Sequence, residues 1–586
     1  MVKEIIIKTK DTRAFGWVQD SSNIQSLCDV VAVFDAASDF HKQLVDKLIP
    51  RLVLPQDGRK EMLEALNSNP LALKYRMLTG TSFTPRSSSR CNGIIQAAVK
   101  GQKREFIGDW PADNFVRWAH AVGFIKYDYA DDTFSITEKG LELTSADDAE
   151  TRKSLLIRAI LSYPPAYRIL SLLSDPDDAY TKFELGEKLG FTGEEGFICY
   201  PVRSIVAALA GTTDKDERSK IRSDWESSSD KYARTIAQWL RQLGLISNCQ
   251  KEVVVPYGRK FLSETLGAYS ITPQGERALR NVSGNSKHPK SEKIVSYEMF
   301  ATKGSDREYL RLRRSLILKS LIDNHYSVSL SKIQDFLKSR NLEESVETIK
   351  DDLSGFENLG LNVEIKGETV ALFDKIADFC IPVYQGLTAK SDLSIEKDRI
   401  RKQLKVLPHD YLSLLDIAFD PKQNRLFEMK TTDLFVSECG FYGCHLGGAN
   451  KPDGILYTGK SEDSLYGIIV DTKAYSHGYN LPIQQQDEMR RYISNNQGRD
   501  ERINPTKWWE EFPDYLEKYC FMFVSGDFKG NIDEKLNKIY LETGTKGTAM
   551  PIVTALLTAD RIKSGDMTLK QFEEGITNTV YDGDAK

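Results

Sequence analysis

A stretch around Trp118 recurs around Trp239, and this repeat constrains the first half of the chain more than any other feature. One copy reads Arg117-Trp-Ala-His-Ala-Val-Gly-Phe-Ile125, then Phe134-Ser-Ile-Thr-Glu-Lys-Gly140. The other reads Gln238-Trp-Leu-Arg-Gln-Leu-Gly-Leu-Ile246, then Tyr269-Ser-Ile-Thr-Pro-Gln-Gly275, with a longer connection between its parts. Before each glycine the apolar residues have helical spacing: Phe115, Trp118, Ala119 and Val122 in one copy, Ile236, Trp239, Leu240 and Leu243 in the other. Gly123 and Gly244 fall where a helix stops in a left-handed residue. A strand, a turn and a returning strand follow, and a threonine then caps the next helix. Helix, glycine stop and two-stranded hairpin outline a winged helix-turn-helix. Tyr180-Thr-Lys-Phe-Glu-Leu-Gly-Glu-Lys-Leu-Gly-Phe191 adds a short capped helix upstream of the second copy. A fainter third copy runs from Phe356 to Ile365 and from Thr369 to Phe373. Such modules bind DNA in many proteins and only other proteins in others, so the repeat alone leaves the partner open.

The 586 residues allow about three to five domains. No apolar run reaches the ~18 residues of a membrane span, and the charged N-terminus does not read as a secretory signal. The eight cysteines are scattered without a Cys-x-x-Cys pair, which predicts reduced thiols in a cytoplasmic protein. The net charge of −5 decides nothing about nucleic acid, because binding needs local basic faces. Three basic clusters occur, at residues 100–104, 311–314 and 397–402, and each reads either as a solvated helix face or as a DNA contact. Small polar stretches at 144–150, 284–291 and 386–392 mark the boundaries. The expected domains are a first recognition module at 1–147, a second at 148–285, a third at 286–378, a linker at 379–392 and a last domain at 393–586.

The last domain carries chemistry. Lys451-Pro-Asp-Gly454 is a turn, and Tyr466-Gly-Ile-Ile-Val-Asp-Thr-Lys473 is a buried strand on which Asp471 and Lys473 project to one face. If the two segments pair as a hairpin, Asp453 comes beside Asp471, which gives a Pro-Asp…Asp-x-Lys pattern. Mg²⁺ takes oxygen ligands, usually one or two carboxylates with waters and phosphate oxygens. Asp453 and Asp471 would supply the carboxylates, the Thr472 carbonyl a third oxygen, and Lys473 the charge that holds a water and steadies the phosphate. A surface turn and a strand ending in solvated charges would give the same letters, but the apolar strand and the Gly447-Gly448 pair favour a site. Helical Arg425–Lys430 places Glu428 as a further acid. His445 and His477 read as structural or exposed, and Lys507-Trp-Trp509 as core. No phosphate-cradling glycine loop precedes a Lys-Ser/Thr pair, so ATP use is not indicated.

The stretches His445–Gly454, Ile469–Ser476, Gly478–Ile483 and Phe523–Gly530 resemble the FokI family of type IIS restriction endonucleases. So do Phe15–Gln19, Arg117–His120 and Ser228–Arg234, which extends the resemblance over nearly the whole chain. It implies a multidomain α+β protein: three winged helix-turn-helix-like DNA-recognition subdomains followed by an α/β nuclease domain of the PD-(D/E)xK fold. The implied activity is Mg²⁺-dependent hydrolysis of both strands of double-stranded DNA in the bacterial cytoplasm, at a fixed distance from a short asymmetric site related to GGATG or altered from it. A single active site per chain implies transient pairing with a second copy, through a helix whose acid and arginine match Asp487 and Arg491. Those two residues also stand one turn apart on one helix face, and the alternative reading is an intrahelical surface ion pair. Matching base-reading positions are Gln19, Arg86, Gln102, Trp110, Glu226, Lys231 and Arg234, while Asp20 and Ser223 stand where FokI has asparagine. Loss of an amide at either position changes readout by about 1–3 kcal/mol. The competing reading is a DNA-binding regulator with a dead C-terminal domain, against which the intact Asp453, Asp471 and Lys473 stand.

Overall fold

The helix–glycine–hairpin unit read from the repeat is formed three times in the computed structural model, which describes residues 2–7, 15–80, 89–175, 178–284, 290–384 and 390–583. The helices are Asp109–Ala121, Ser228–Gln242 and Val346–Leu359. Each is followed by a glycine at positive φ: Gly123 at 79°, Gly244 at 77° and Gly360 at 108°. An L side chain is strained at those angles, which is why the helix can turn sharply into its hairpin there. The hairpins are Ile125–Asp128 with Thr133–Ile136, Ile246–Tyr257 with Lys260–Ile271, and Val363–Lys366 with Thr369–Leu372. In all three sheets a short upstream strand (Leu73–Lys74, Tyr180–Thr181 or Ser327–Ser329) lies against the second hairpin strand, so the strand order is the same each time. Thr137 and Thr272 cap the following helices, their hydroxyls accepting from the amides of Gly140 and Gly275. Upstream of the second hairpin, Thr181 and Glu184 form a reciprocal capping box on helix Lys182–Glu187. That helix packs so closely on Ser228–Gln242 that a Cβ on Gly186 would lie 2.2 Å from Asp230 Oδ1.

Contacts divide the chain into two units. The first comprises Met1–Phe191, Ser228–Lys251 and Gly267–Ala389. At its centre the rings of Trp118 and Trp239 stack at 4.3 Å and 8°, so the repeated tryptophans join the first two modules. Both rings are fully buried, and Trp239 Nε1 donates to the Ser21 carbonyl at 2.9 Å. The third module is organised by buried charge. Arg313 and Arg314 both donate to Asp352, at 2.7 and 2.6 Å from their Nε atoms, and Arg311 pairs with Glu308 at 3.1 Å. The cluster at 311–314 is therefore neither a solvated face nor a DNA contact. Its arginines are 1–5% exposed, on a helix, Arg307–Asp323, most of whose residues are buried. Strand Val2–Ile7 pairs in parallel with Phe379–Tyr384, so the first six residues of the expected linker are sheet. Val2, Phe379 and Ile381 are buried there, which a free connector would not allow.

The second unit comprises Thr192–Ser227, Glu252–Leu266 and Lys390–Lys586. Two pieces of the expected second module thus group with the last domain. Ile198 lies in that domain's core, Arg203 pairs with Asp433 at 3.0 Å, and Lys260 pairs with Glu511 at 2.8 Å. The frame is a five-stranded sheet in the order Tyr442–His445, Gly454–Tyr457, Tyr466–Lys473, Lys518–Ser525 and Gly547–Pro551. The first three strands run antiparallel to one another, and the fourth and fifth are added in parallel to the third. Strand alternation divides the core. Ile468 and Val470 face helices Asn424–Glu438 and Ile552–Ser564. Ile469 faces helices Ile483–Gly498 and Ile532–Thr543, together with Trp508 and Trp509. Among the described residues no helix is long and apolar enough to cross a membrane.

Trp239→Ala removes the larger part of the inter-module stack and leaves a cavity. Chemical denaturation should read a loss of about 3–5 kcal/mol for the first unit; a change below ~1 kcal/mol would mean that the stack does not join the modules.

Candidate active site and DNA-reading surface

The antiparallel register aligns Gly454 with Val470 and Ile455 with Ile469, which brings Asp453, one residue before its strand, level with the end of the strand bearing Asp471. The amides of Leu446 and Gly447 donate to the Asp453 carbonyl at 2.8 and 3.3 Å, pinning the preceding loop. Thr472 fixes the side chain, since its amide donates to Asp453 Oδ2 at 2.7 Å and its hydroxyl does so at 3.1 Å. On the strand face it shares with Asp471, Lys473 Nζ reaches Asp471 Oδ1 at 2.9 Å and Asp453 Oδ2 at 3.6 Å. The three charged groups expected from sequence therefore converge, with Thr472 as the anchor of one of them.

Burial and the nearby Asp453 carboxylate together hold the Asp471 carboxyl well above the usual carboxylate range. Burial would lower the Lys473 ammonium, but Asp471 and Asp453 outweigh it and keep it charged. Ionising both carboxylates beside one ammonium would leave an excess of negative charge in a dry place, which is why Asp471 keeps its proton until a cation is present. Asp471 Oδ2 is buried without a hydrogen-bond partner among the described residues. An unsatisfied acceptor beside a second carboxylate fits a hard divalent cation, which would restore both the missing bond and the charge balance. Among the described residues no group of three or more His, Cys, Asp or Glu has metal-holding geometry, so water and substrate oxygens would complete the shell.

Glu428 is engaged otherwise: Asn424 Nδ2 donates to its Oε1 at 2.5 Å and His445 Nε2 lies 3.1 Å from its Oε2. His445 and Glu428 thus hold each other. Asn424 was missed in the sequence. Its Oδ1 accepts from the Ala474 amide at 3.0 Å and ties the helix start to the residue after Lys473. Only the fold could reveal it, because fifty positions separate the two residues.

Asp487 and Arg491 are both exposed on helix Ile483–Gly498, and they do not pair with each other. Asp487 bonds Arg490 at 2.5 Å, and Arg490 also reaches Glu542 at 2.7 Å, whereas Arg491 lies over the Tyr492 ring. A third position on that stripe, Ile483, is 70% exposed.

In the first unit, Lys231 and Arg234 lie on the early turns of helix Ser228–Gln242, the helix preceding the second hairpin. Segment 19–21 is pinned across this helix and its counterpart: the Gln19 amide donates to Asn114 Oδ1 at 2.9 Å and the Asp20 amide to Thr235 Oγ1 at 3.0 Å. Arg234 Nη2 then reaches Asp20 Oδ1 at 2.9 Å. Trp110, 44% exposed, opens helix Asp109–Ala121 beneath Arg117, and Gln102 is exposed in the preceding loop. Ser223 ends helix Lys215–Asp224 and Glu226 follows it, both in the second unit. Arg86 lies outside the described residues.

A carboxylate pair and a lysine gathered at a strand end, in a chain that also carries three helix–glycine–hairpin modules, suit a DNA-binding nuclease, and the comparisons define the class as type II restriction endonuclease. The comparisons bear this out along the chain. Family models for the FokI recognition domain match residues 13–146 as subdomain 1 and 152–286 as subdomain 2. The FokI D3 domain matches 300–368 and the FokI cleavage domain 390–580. The type II restriction enzyme FokI of Planomicrobium okeanokoites is 42% identical over 577 residues, covering 97% of this chain and 98% of the relative. The type II restriction enzyme StsI of Streptococcus sanguinis is 36% identical over 580 residues, covering 96% and 95%. The solved structure of FokI matches with a TM-score of 0.87 at 42% identity, and that of FokI bound to DNA with 0.88 at 41%; each match covers 97% of this chain and 100% of the other. The chain belongs to the FokI family.

The raised Asp471 carboxyl sets a pH test. The native state holds that proton at pH values where the unfolded chain, with an ordinary aspartate near ~4, has released it. The metal-free protein therefore loses stability from this group as pH rises from about 4 through the raised value. A divalent ion should raise the Tm more at neutral pH than at pH ~5, and Asp471→Asn should remove the response. An equal response in the variant would place the ion elsewhere.

Proposed function

We propose that this restriction endonuclease uses Mg²⁺ at Asp453 and Asp471, with the Thr472 carbonyl as a further oxygen, and cuts both strands at a fixed distance from its site by transient pairing of two nuclease domains. The observation that carries the reading is the convergence of Asp453, Asp471 and Lys473 around a partnerless buried Asp471 oxygen. When bound, Mg²⁺ supplies positive charge against the charge that builds on the scissile phosphate and makes a water easier to deprotonate. The chain's own residues do the rest. Thr472 locks the Asp453 carboxylate, and the low-dielectric strand end strengthens every charge contact. Lys473 presents a fixed ammonium to the phosphate region and positions the attacking water. Hydrolysis by in-line displacement depends mainly on such positioning and electrostatics.

Recognition falls to modules 1–147, 148–285 and 286–378, and cutting to 393–586, in the bacterial cytoplasm. Gln19, Asp20, Arg86, Gln102, Trp110, Ser223, Glu226, Lys231 and Arg234 form the reading set. Recognition helices place their N-terminal residues at base edges, and Lys231 and Arg234 occupy that part of theirs. The carboxylate of Asp20 can only accept, so readout at its base pair differs from that of an amide. The pairing surface is the exposed stripe Ile483, Asp487 and Arg491, spaced one turn apart.

Run-off sequencing of a plasmid digested with Mg²⁺ maps both site and offset; a plasmid left intact with any divalent salt refutes the reading. Asp453→Ala or Asp471→Ala should lower cutting by at least about a thousandfold and leave site-specific binding within about twofold in a mobility-shift assay. Asp487→Ala should slow double-strand cutting about tenfold or more while binding holds, and rates unchanged at low enzyme concentration would remove the pairing step.

A further inference from the structure

A second buried oxygen near the carboxylate pair has no use in the reading above. Tyr479 is 1% exposed, and its hydroxyl has no hydrogen-bond partner among the described residues. Burying an unpaired hydroxyl costs about 1–3 kcal/mol, and native chains rarely retain one without a use. The residue is also firmly held. Its amide donates to the Asp527 carbonyl at 2.7 Å, and its own carbonyl accepts from the Lys529 amide at 2.9 Å. Its ring packs on Tyr475 at 5.1 Å and on Phe528 at 6.1 Å. A phenol clamped by its backbone and both neighbouring rings cannot turn away to find another partner.

After burial, the groups that act on this hydroxyl are Asp471, Lys473, Tyr475 and Glu488, and Lys473 in turn feels Tyr479. Tyr479 also belongs to the core on the sheet face that carries Ile469, which by strand alternation is the face of Asp471 and Lys473. Two partnerless buried polar atoms, Asp471 Oδ2 and the Tyr479 hydroxyl, thus share one face of the sheet. Asp471 Oδ2 is an acceptor and suits a cation. The phenol is a donor held protonated, since burial and the neighbouring Asp471 push its ionisation well above the usual tyrosine range.

We propose that Tyr479 is a further catalytic residue: its hydroxyl donates a hydrogen bond to a non-bridging oxygen of the scissile phosphate, beside Lys473. The proposal rests on the nuclease reading above. No proton is transferred; the O–H stays on the phenol and the bond strengthens as negative charge grows on the phosphate oxygen. A preorganised donor of this kind is worth about 10²–10³ in rate where it has been removed from other sites.

Tyr479→Phe deletes only the hydroxyl and keeps the ring packing. Single-turnover cutting of a plasmid that the wild type cuts should fall at least about tenfold in the variant. Its affinity for a duplex carrying the mapped site, measured without divalent ion, should stay within about twofold, and its Tm should hold or rise, because the lost group had no protein partner. A rate within about twofold of wild type overturns the proposal. So does a rate loss accompanied by a lowered Tm, the signature of a hydroxyl that serves the fold. A wild type that cuts no DNA with Mg²⁺ refutes the nuclease reading and the tyrosine assignment with it, whereas an active wild type beside an equally active variant refutes the tyrosine assignment alone.

Discussion

Two carboxylates pressed together at the end of a buried strand are the constraint around which the second unit is organised. Left alone they repel in a medium that screens poorly, and a protein does not keep such an arrangement for stability. The surroundings hold it open. Thr472 donates twice to one acid, Lys473 bridges to both, and the loop at 446–447 is hung on the carbonyl of Asp453. Asn424 ties the end of the same strand to the helix beneath it. Apolar side chains on both sheet faces then exclude the water that would otherwise dilute the field.

The first unit solves a different problem, which is to join its modules to one another. The stacked tryptophans join two of them, and segment 19–21 is bonded to both of their helices. The third module uses charge: Asp352 accepts from two arginines, whose presence outweighs its burial and holds its carboxyl below the usual range. Removing either acid or arginine would strand a charge in the interior at a cost of about 3–5 kcal/mol, although the intact network adds little net stability.

The parts legible in the sequence are those with short-range causes. Helical spacing before Gly123 and Gly244, the threonine caps and the alternation along Ile468–Lys473 are local rules, and the structure obeys them. The convergence of Asp453 and Asp471 was legible too, because a hairpin needs only the intervening turn. What escaped depends on distant partners. Residues 379–384 look like connector until they meet Val2–Ile7 from the other end of the chain, and Arg311–Arg314 look solvated until Asp352 and Glu308 surround them. The pairing of Asp487 with Arg490 instead of Arg491 was settled by Glu542, which draws the same guanidinium from another helix. Residues 192–227 and 252–266 follow the sequence order of one module yet pack with the last domain, an allegiance that no local pattern encodes.

The near-parallel contact of Trp118 with Trp239 has a corollary for anyone who would retarget the enzyme by grafting. The two copies look like interchangeable cassettes, but each donates half of a single aromatic joint, and segment 19–21 is laced to both. A transplant of one cassette from a cousin would import a foreign half-joint and change how the two helices meet. The natural unit of exchange is the pair, carried over together with the strip of chain that binds it.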